Sequence, residues 1–395
     1  MKRIEGRQGR MKNNNTETNN RRTIGARILR WILRILAVCG IAIGGVIVVG
    51  SLFLVLNPVF GGRASKEERA AYGKRAENYV EGKFIYPEEY IEEGMSQDIR
   101  VSAKERKPAG ELPIAELSIP EKPEVDRIYL TWFGHSTILL QMHGLNILFD
   151  PLFSKTASPV SFAGPERYSK APITIEEMPA LDMILLTHDH YDHLDMKTLQ
   201  QLDAKTELFF VPLGVEQHLK RWGIAEDKIR TMAWWEEVDI KGLTIACTPA
   251  RHYSSRMVID GGKTLFASWV LKDEYHQVFE SGDSGYGGHF KAIHEKYGDF
   301  DLVLTDCAQY NMQWHSIHML PEEAVEACQT LGAKLSVPVH WGAYSLSDHA
   351  WDDPAERFVR AAEEKNLAVC TPLLGETVAL DDVSGTLNYW WRECP

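Results

Sequence analysis

The chain has 395 residues, 44% of them apolar, and a formal net charge of −12, enough to bury a large core in one large domain or two ordinary ones. Residues 1–34 hold ten Lys and Arg against Glu5 and Glu17, a surplus of eight, so the other 361 residues carry −20. An acidic body of that kind argues against a nucleic-acid partner, which needs a basic face.

Taken in order, residues 1–27 form a basic, Asn-rich tail expected to be disordered. From Ile35 to Leu56 there are 22 residues without a charge. As a helix rising ~1.5 Å per residue they reach about 33 Å, the thickness of a bilayer core. Residues 28–57 are therefore read as a transmembrane helix. A cleavable signal would have a shorter apolar region, roughly 7–15 residues, ending in small residues. Leu36-Ala37-Val38-Cys39 loosely matches a lipoprotein signal, but Val precedes the Cys and the apolar run continues past it. Basic residues near the two ends of the span balance, and the extra ones upstream, with Glu67 and Glu68 diluting the downstream side, place the tail in the cytoplasm and the large domain outside.

Residues 58–125 read as a charged, Pro-containing stalk with a helical patch at 66–77. At residue 126 the texture changes, and 126–395 reads as the large folded domain. Short apolar strands are expected at 128–133, 137–142, 146–149, 183–186, 208–211, 243–248, 265–271, 278–281, 302–305 and 335–339. Helical patterns intervene at 197–202, 214–222, 288–297, 321–331 and 354–364, which makes the class mixed α/β, with polar residues at strand ends gathering along one edge. Pro165, Pro172 and Pro179 punctuate the connection between Asp150 and Met183, whose length suits a lid. The six cysteines form no C-x-x-C pair.

The most informative stretch is Leu185-Leu-Thr-His188-Asp-His190-Tyr-Asp192-His193-Leu-Asp195. Three imidazoles and a carboxylate follow directly on a buried strand. His188 and His190, two apart, point the same way in extended backbone, while Asp192 and His193 fall where the chain turns and face a second ion. Three more such residues sit at strand ends downstream: His252, Asp283 and His340. Five His and two Asp suffice for two borderline divalent ions with a position left open for water.

This order, H-x-H-x-D-H followed by His, Asp and His, resembles the metallo-β-lactamase superfamily. The resemblance implies an αβ/βα sandwich with two Zn²⁺ at its edge, one held by His188, His190 and His252, the other by Asp192, His193 and His340, with Asp283 bridging. Further short matches, among them Trp132-Phe-Gly-His135-Ser-Thr, Asp150-Pro-Leu-Phe-Ser, Thr248-Pro-Ala-Arg-His252, Ser281-Gly-Asp283-Ser-Gly-Tyr and His318-Met-Leu-Pro-Glu-Glu-Ala, are similar to the branch containing the N-acyl-phosphatidylethanolamine-hydrolysing phospholipase D. The likeness covers roughly residues 128–376 and implies that Tyr191 and His318 contact substrate.

The reading that follows is a membrane-anchored phosphodiesterase splitting N-acyl phospholipids into phosphatidic acid and an N-acylethanolamine. A hydroxide held between the ions and oriented by Asp192 and Asp283 would attack phosphorus, and His318 would stabilise the developing charge or protonate the leaving alkoxide. Arg251 and Arg256 are candidates for holding phosphate, Asp306 for orienting a metal-bound His, and Trp314, Trp390 and Trp391 for the lipid interface. The alternatives are a lactonase or other ester hydrolase using the same metals, and a non-catalytic lipid-binding protein. The partner expected is the membrane phospholipid, and a homodimer is left open.

Overall fold

In the computed structural model, which describes residues 5–87, 99–257, 260–380 and 387–394 (5–25 by their backbone alone), the apolar runs become strands whose alternate side chains enter different cores. Among the described residues a small hairpin, β1 (Tyr79–Val80) and β2 (Lys83–Phe84), precedes two large sheets. The first contains β3 (Tyr129–Trp132), β4 (Ile138–Met142), β5 (Leu145–Phe149), β6 (Leu181–Leu185), β7 (Thr206–Pro212) and β8 (Ile229–Met232). The second contains β9 (Glu237–Ile240), β10 (Leu243–Pro249), β11 (Ala267–Lys272), β12 (Gln277–Glu280), β13 (Leu302–Asp306) and β14 (Leu335–Val339), while β15 (Thr377–Ala379) returns to the edge of the first beside β3. Strands β5 to β8 and β12 to β14 pair in parallel, and the remaining pairs are antiparallel.

The period of two along each strand decides the layers. Leu139, Leu148, Ile184 and Phe209 join Leu199 and Leu202 of α3 (Met196–Leu202) and Leu219 of α4 (Glu216–Arg221) in one core. Their neighbours Leu140, Ile147, Met183 and Phe210 point the other way and meet Ile245, Cys247, Trp269 and Leu271 of the second sheet. Helices α5 (His289–Tyr297), α6 (Pro321–Thr330) and α7 (Asp353–Lys365) add Phe290, Ile293, Val325 and Phe358 to that larger core. The result is the αβ/βα sandwich expected from the sequence. Strands buried on both faces explain why these segments read as unbroken apolar runs.

The amino-terminal reading needs correction. Helix α1 (Glu5–Leu56) begins well before residue 28, so the part of the expected disordered tail from residue 5 onward is helical backbone; residues 1–4 lie outside the described residues. Once a helix is nucleated in the apolar stretch, extending it costs little. Within it Ala26–Leu56, 31 residues, is long and apolar enough to cross a membrane.

The stalk is not a stalk. Residues 58–395 form one compact unit, separate from 1–57. Tyr72 and Ala76, in and after α2 (Lys66–Arg75), and Phe84 are buried against Leu213, Ala233, Ala250, Leu265 and Phe266. Arg75 reaches Glu236 at 2.6 Å, and the Trp222 indole N–H donates to Pro58 O at 2.6 Å. Further along, Leu112 is buried and Ala115 N–H donates to Leu374 O, while 88–98 lie outside the described residues. The buried side chains here are single and widely spaced, so no apolar period announced them. A chain begun at residue 126 should therefore aggregate or lose at least about 3 kcal/mol of stability, from uncovering Leu213 and Phe266. One begun at 58 should melt like the full chain, as followed by circular dichroism.

Trp390 and Trp391 are 4% and 1% exposed and pack on Trp341 in the main core, the first stacked and the second edge-on, which corrects their expected place at a lipid interface. Trp314 is half-buried, its indole N–H donating to Gln309 O. The connection expected as a lid is pinned: Arg167 donates to Phe133 O and Leu152 O, and Tyr168 N–H to Ala343 O.

Candidate metal centre

The parallel strands end along one edge, and the loops leaving β6, β10, β12 and β14 bring all seven sequence-predicted ligands together there. His188, His190, His252 and Asp283 offer ligand atoms within 4.8 Å of one another. A second group, Asp192, His193 and His340, is equally close and includes a residue the sequence reading passed over as a ligand, His135. Asp283 sits at the centre, its Oδ2 lying 3.1 Å from His193 Nε2, 3.6 Å from His188 Nε2 and 3.7 Å from His252 Nε2.

The backbone is shaped to allow this. Gly282 has φ +54, and a Cβ there would lie 2.8 Å from Ala267 O and 2.9 Å from the Thr187 side chain, so the loop carrying Asp283 closes on the His188 loop only with glycine. His135 and His340 take positive φ, 55° and 71°, a conformation that costs roughly 1 kcal/mol or more outside glycine. They hold each other there: His135 N–H donates to Trp341 O at 2.7 Å, and His340 N–H to His135 O at 3.0 Å.

A ring of fixed acceptors and hydroxyls orients the imidazoles. Asp150, from the end of β5, is 2.7 Å from His193 Nδ1 and accepts from Thr187 N–H and Oγ1–H, while Thr187 Oγ1 lies 2.9 Å from His188 Nδ1. His252 Nδ1 is 3.1 Å from Ile317 O, and Ser136 Oγ is 3.1 Å from His340 Nδ1. His135 Nε2 is 3.0 Å from Asp192 Oδ2. Fixing one ring nitrogen aims the other at a metal.

The electrostatics fit a cation. Burial holds His188, His252 and His340 well below the ordinary imidazole range and takes His190 down to about 4, so all four are neutral at pH 7, the form in which an imidazole can bind a metal. Burial also pushes Asp283 up to about 6, against the pull of His193, so its carboxylate calls for compensating positive charge. His188 Nε2, His190 Nε2, His193 Nε2 and Asp283 Oδ1 are buried with no hydrogen-bond partner, a costly arrangement that one or two divalent cations would satisfy.

The predicted residues around the cluster divide. His318 is buried, its Nε2 4.0 Å from Asp283 Oδ2 and its Nδ1 3.0 Å from Asp306 Oδ2. Burial opposes its charge, but Asp306 outweighs that and raises its pKa above the ordinary value. Asp306 thus pairs with His318 rather than with a residue of the seven. Tyr191 is half-buried, its hydroxyl donating to Arg256 O at 2.9 Å. Arg256, expected to hold phosphate, is instead spent on the fold: its guanidinium donates to Val59 O, Asp189 O and Leu194 O and lies 4.1 Å from the Tyr191 ring centre. Arg251 donates to Tyr286 O. Beyond His135, the sequence reading passed over Asp150 and Tyr253. Tyr253 is 48% exposed, with its ring 4.5 Å from that of His190 at the site's mouth. His135 and Asp150 stood in short matched motifs without being read as site residues, and Tyr253 was marked only by its place beside His252.

A fold of this kind with buried, convergent imidazoles and carboxylates at its strand ends defines a metal-dependent hydrolase. Residues 145–341 match the family described as the beta-lactamase superfamily domain. An uncharacterized protein of Mycobacterium tuberculosis is 40% identical over 292 residues, 72% of this chain and 77% of that one. The N-acyl-phosphatidylethanolamine-hydrolyzing phospholipase D 1 of Caenorhabditis elegans is 35% identical over 248 residues, 60% of this chain and 69% of its own. Among solved structures, Igni18, a metallo hydrolase of Ignicoccus hospitalis, covers 64% of this chain and 98% of its own at 22% identity and a TM-score of 0.51, a likeness of fold. The chain belongs to the metallo-β-lactamase superfamily.

Proposed function

We propose that this protein is a membrane-anchored, zinc-dependent phosphodiesterase of the phospholipase D type, hydrolysing N-acyl-phosphatidylethanolamines to phosphatidic acid and an N-acylethanolamine. The observation that carries the reading is the 35% identity to a relative of that name, joined to the convergence of seven ligand-type side chains with Asp283 at their centre. His188, His190 and His252 would hold one Zn²⁺ and Asp192, His193 and His340 the other, with Asp283 between them. Bound there, a metal pair lowers the pKa of water and neutralises charge on phosphoryl oxygens.

The chain's own residues do the rest. Asp192 and Asp283 orient the attacking water by accepting its hydrogens, and the in-line displacement needs a proton at the leaving alkoxide. His318, whose charged form Asp306 favours, stands beside Asp283 to stabilise charge or donate that proton. Tyr191 and His318 are the substrate contacts in this reading, and Tyr253 adds an exposed ring at the mouth. The span Ala26–Leu56 would anchor the chain as a single-pass protein, tail in the cytoplasm and catalytic domain outside, with phospholipid as its partner and a second copy as an open assembly.

The test is lipid mass spectrometry on full-length protein in mixed micelles, offered an N-acyl-phosphatidylethanolamine and, in parallel, a lactone. Phosphatidic acid and N-acylethanolamine should accumulate together. A lactone opened while the N-acyl lipid persists would sink the assignment and leave an ester hydrolase. A second expectation concerns Asp306→Asn, which keeps the shape beside His318 but removes the charge: kcat should fall by about 10- to 100-fold while zinc content measured by mass spectrometry stays at the wild-type level.

A further inference from the structure

Asp189 of the metal loop, but none of the seven ligand-type residues, lines a cavity of about 260 Å³ that the catalytic reading leaves unused. Its walls include Arg63, Arg69 and Lys263, with Asp189, Asp260 and His218. In a chain of net charge −12, three cations around one cavity are a local reversal. None of the three has a carboxylate within ion-pair distance among the described residues. Arg69 uses one N–H on Ala64 O, and Lys263 uses one on Gly82 O.

The two acids of the cavity do not neutralise them. Asp260 Oδ1 accepts from Ser255 Oγ–H, Arg256 N–H and Met257 N–H, and Asp189 Oδ1 accepts from Ser255 N–H with its Oδ2 3.4 Å from His218 Nε2. His218 is 4% exposed, and its other nitrogen, Nδ1, has no hydrogen-bond partner. The cavity thus offers an anion two guanidinium groups and an ammonium, groups of the kind that recognise a phosphate ester.

Position supplies the source. Arg63 follows Leu56, the last residue of the apolar span, by seven residues, so a chain rising at most ~3.5 Å per residue keeps it within about 25 Å of the span's end. We propose that this cavity binds the phosphate of an anionic membrane lipid headgroup, at a site separate from the metal cluster. The inference rests on reading Ala26–Leu56 as membrane-spanning and is independent of the hydrolysis proposed above. Asp189 stands between His188 and His190 in sequence, so a headgroup seated here would bear on the loop that carries both.

The experiment places the full chain in lipid nanodiscs of phosphatidylcholine alone or with phosphatidylglycerol and measures acetylation of Lys263 by peptide mass spectrometry, with Lys66 and Lys74 of α2 as references. Phosphatidylglycerol should slow acetylation of Lys263 at least 5-fold relative to those two, and the surface variant R63Q/R69Q should abolish the protection. Equal reactivity in both bilayers, or protection that survives R63Q/R69Q, overturns the proposal. If glycerol phosphate in solution protects Lys263 fully in phosphatidylcholine discs, the phosphate chemistry stands and the lipid source falls. Hydrolysis is never the readout, so a failure here leaves the phosphodiesterase reading untouched, and the reverse also holds.

Discussion

His190→Ala should lower kcat/KM by at least about 10³-fold, roughly 4 kcal/mol of barrier, and deplete the purified protein of bound metal. The side chain is a neutral imidazole whose Nε2 has no hydrogen-bond partner and whose Nδ1 lies 3.1 Å from His252 Nε2, so it has no evident structural duty besides a ligand's. Its removal should leave the sandwich folded. Chelation of the wild type should reproduce both effects and lower the melting temperature, because cations that bind only the folded cluster stabilise it by mass action. Element analysis, turnover and thermal scans on the same preparation decide the matter: a fully active, metal-replete His190→Ala protein would remove the site from the chemistry.

The largest effect on stability is expected at a residue with no place in that chemistry. Arg256→Ala leaves the carbonyls of Val59, Asp189 and Leu194 without their donor in a buried setting, at about 1–3 kcal/mol for each group left unsatisfied. A total loss of about 3–5 kcal/mol is expected, read as an earlier thermal transition in near-ultraviolet circular dichroism. Arg256→Lys should recover less than half of it. One ammonium cannot span three carbonyls on different segments, nor stack against Tyr191 and Trp222 as the planar guanidinium does. An Arg256→Ala protein that melts with the wild type would show that the 58–60 turn and the metal loop are held by something else.

These two residues also mark the limits of what a sequence discloses. His190 was legible because chemistry compresses it into a short pattern: alternate imidazoles on extended backbone at the end of an apolar strand converge on one point, and a shared metal is what such convergence serves. His252, Asp283 and His340 were individually weak and became readable as a set with that cluster, each just after a predicted strand, with the resemblance then supplying the order. Arg256 looked like a phosphate ligand because a loop arginine near a metal motif usually faces solvent or substrate. That its guanidinium is turned inward onto three carbonyls depends on where residues 59, 189 and 194 meet, which no local pattern encodes. The same holds for His135, whose value comes from a positive-φ turn locked to Trp341 across some 200 residues.

By itself the sequence determined the class of fold, the strands that carry the site, the seven ligand-type residues and the apolar span, since each is written in a local period, a run of one residue type or a place at a strand end. Only the tertiary structure decided that residues 58–87 and 99–125 belong to the catalytic unit, that Trp390 and Trp391 are core, and that Asp306 serves His318. Those outcomes rest on contacts between isolated side chains far apart in the chain. Burial there is settled by the surface each residue happens to meet, and a linear pattern carries no record of that meeting.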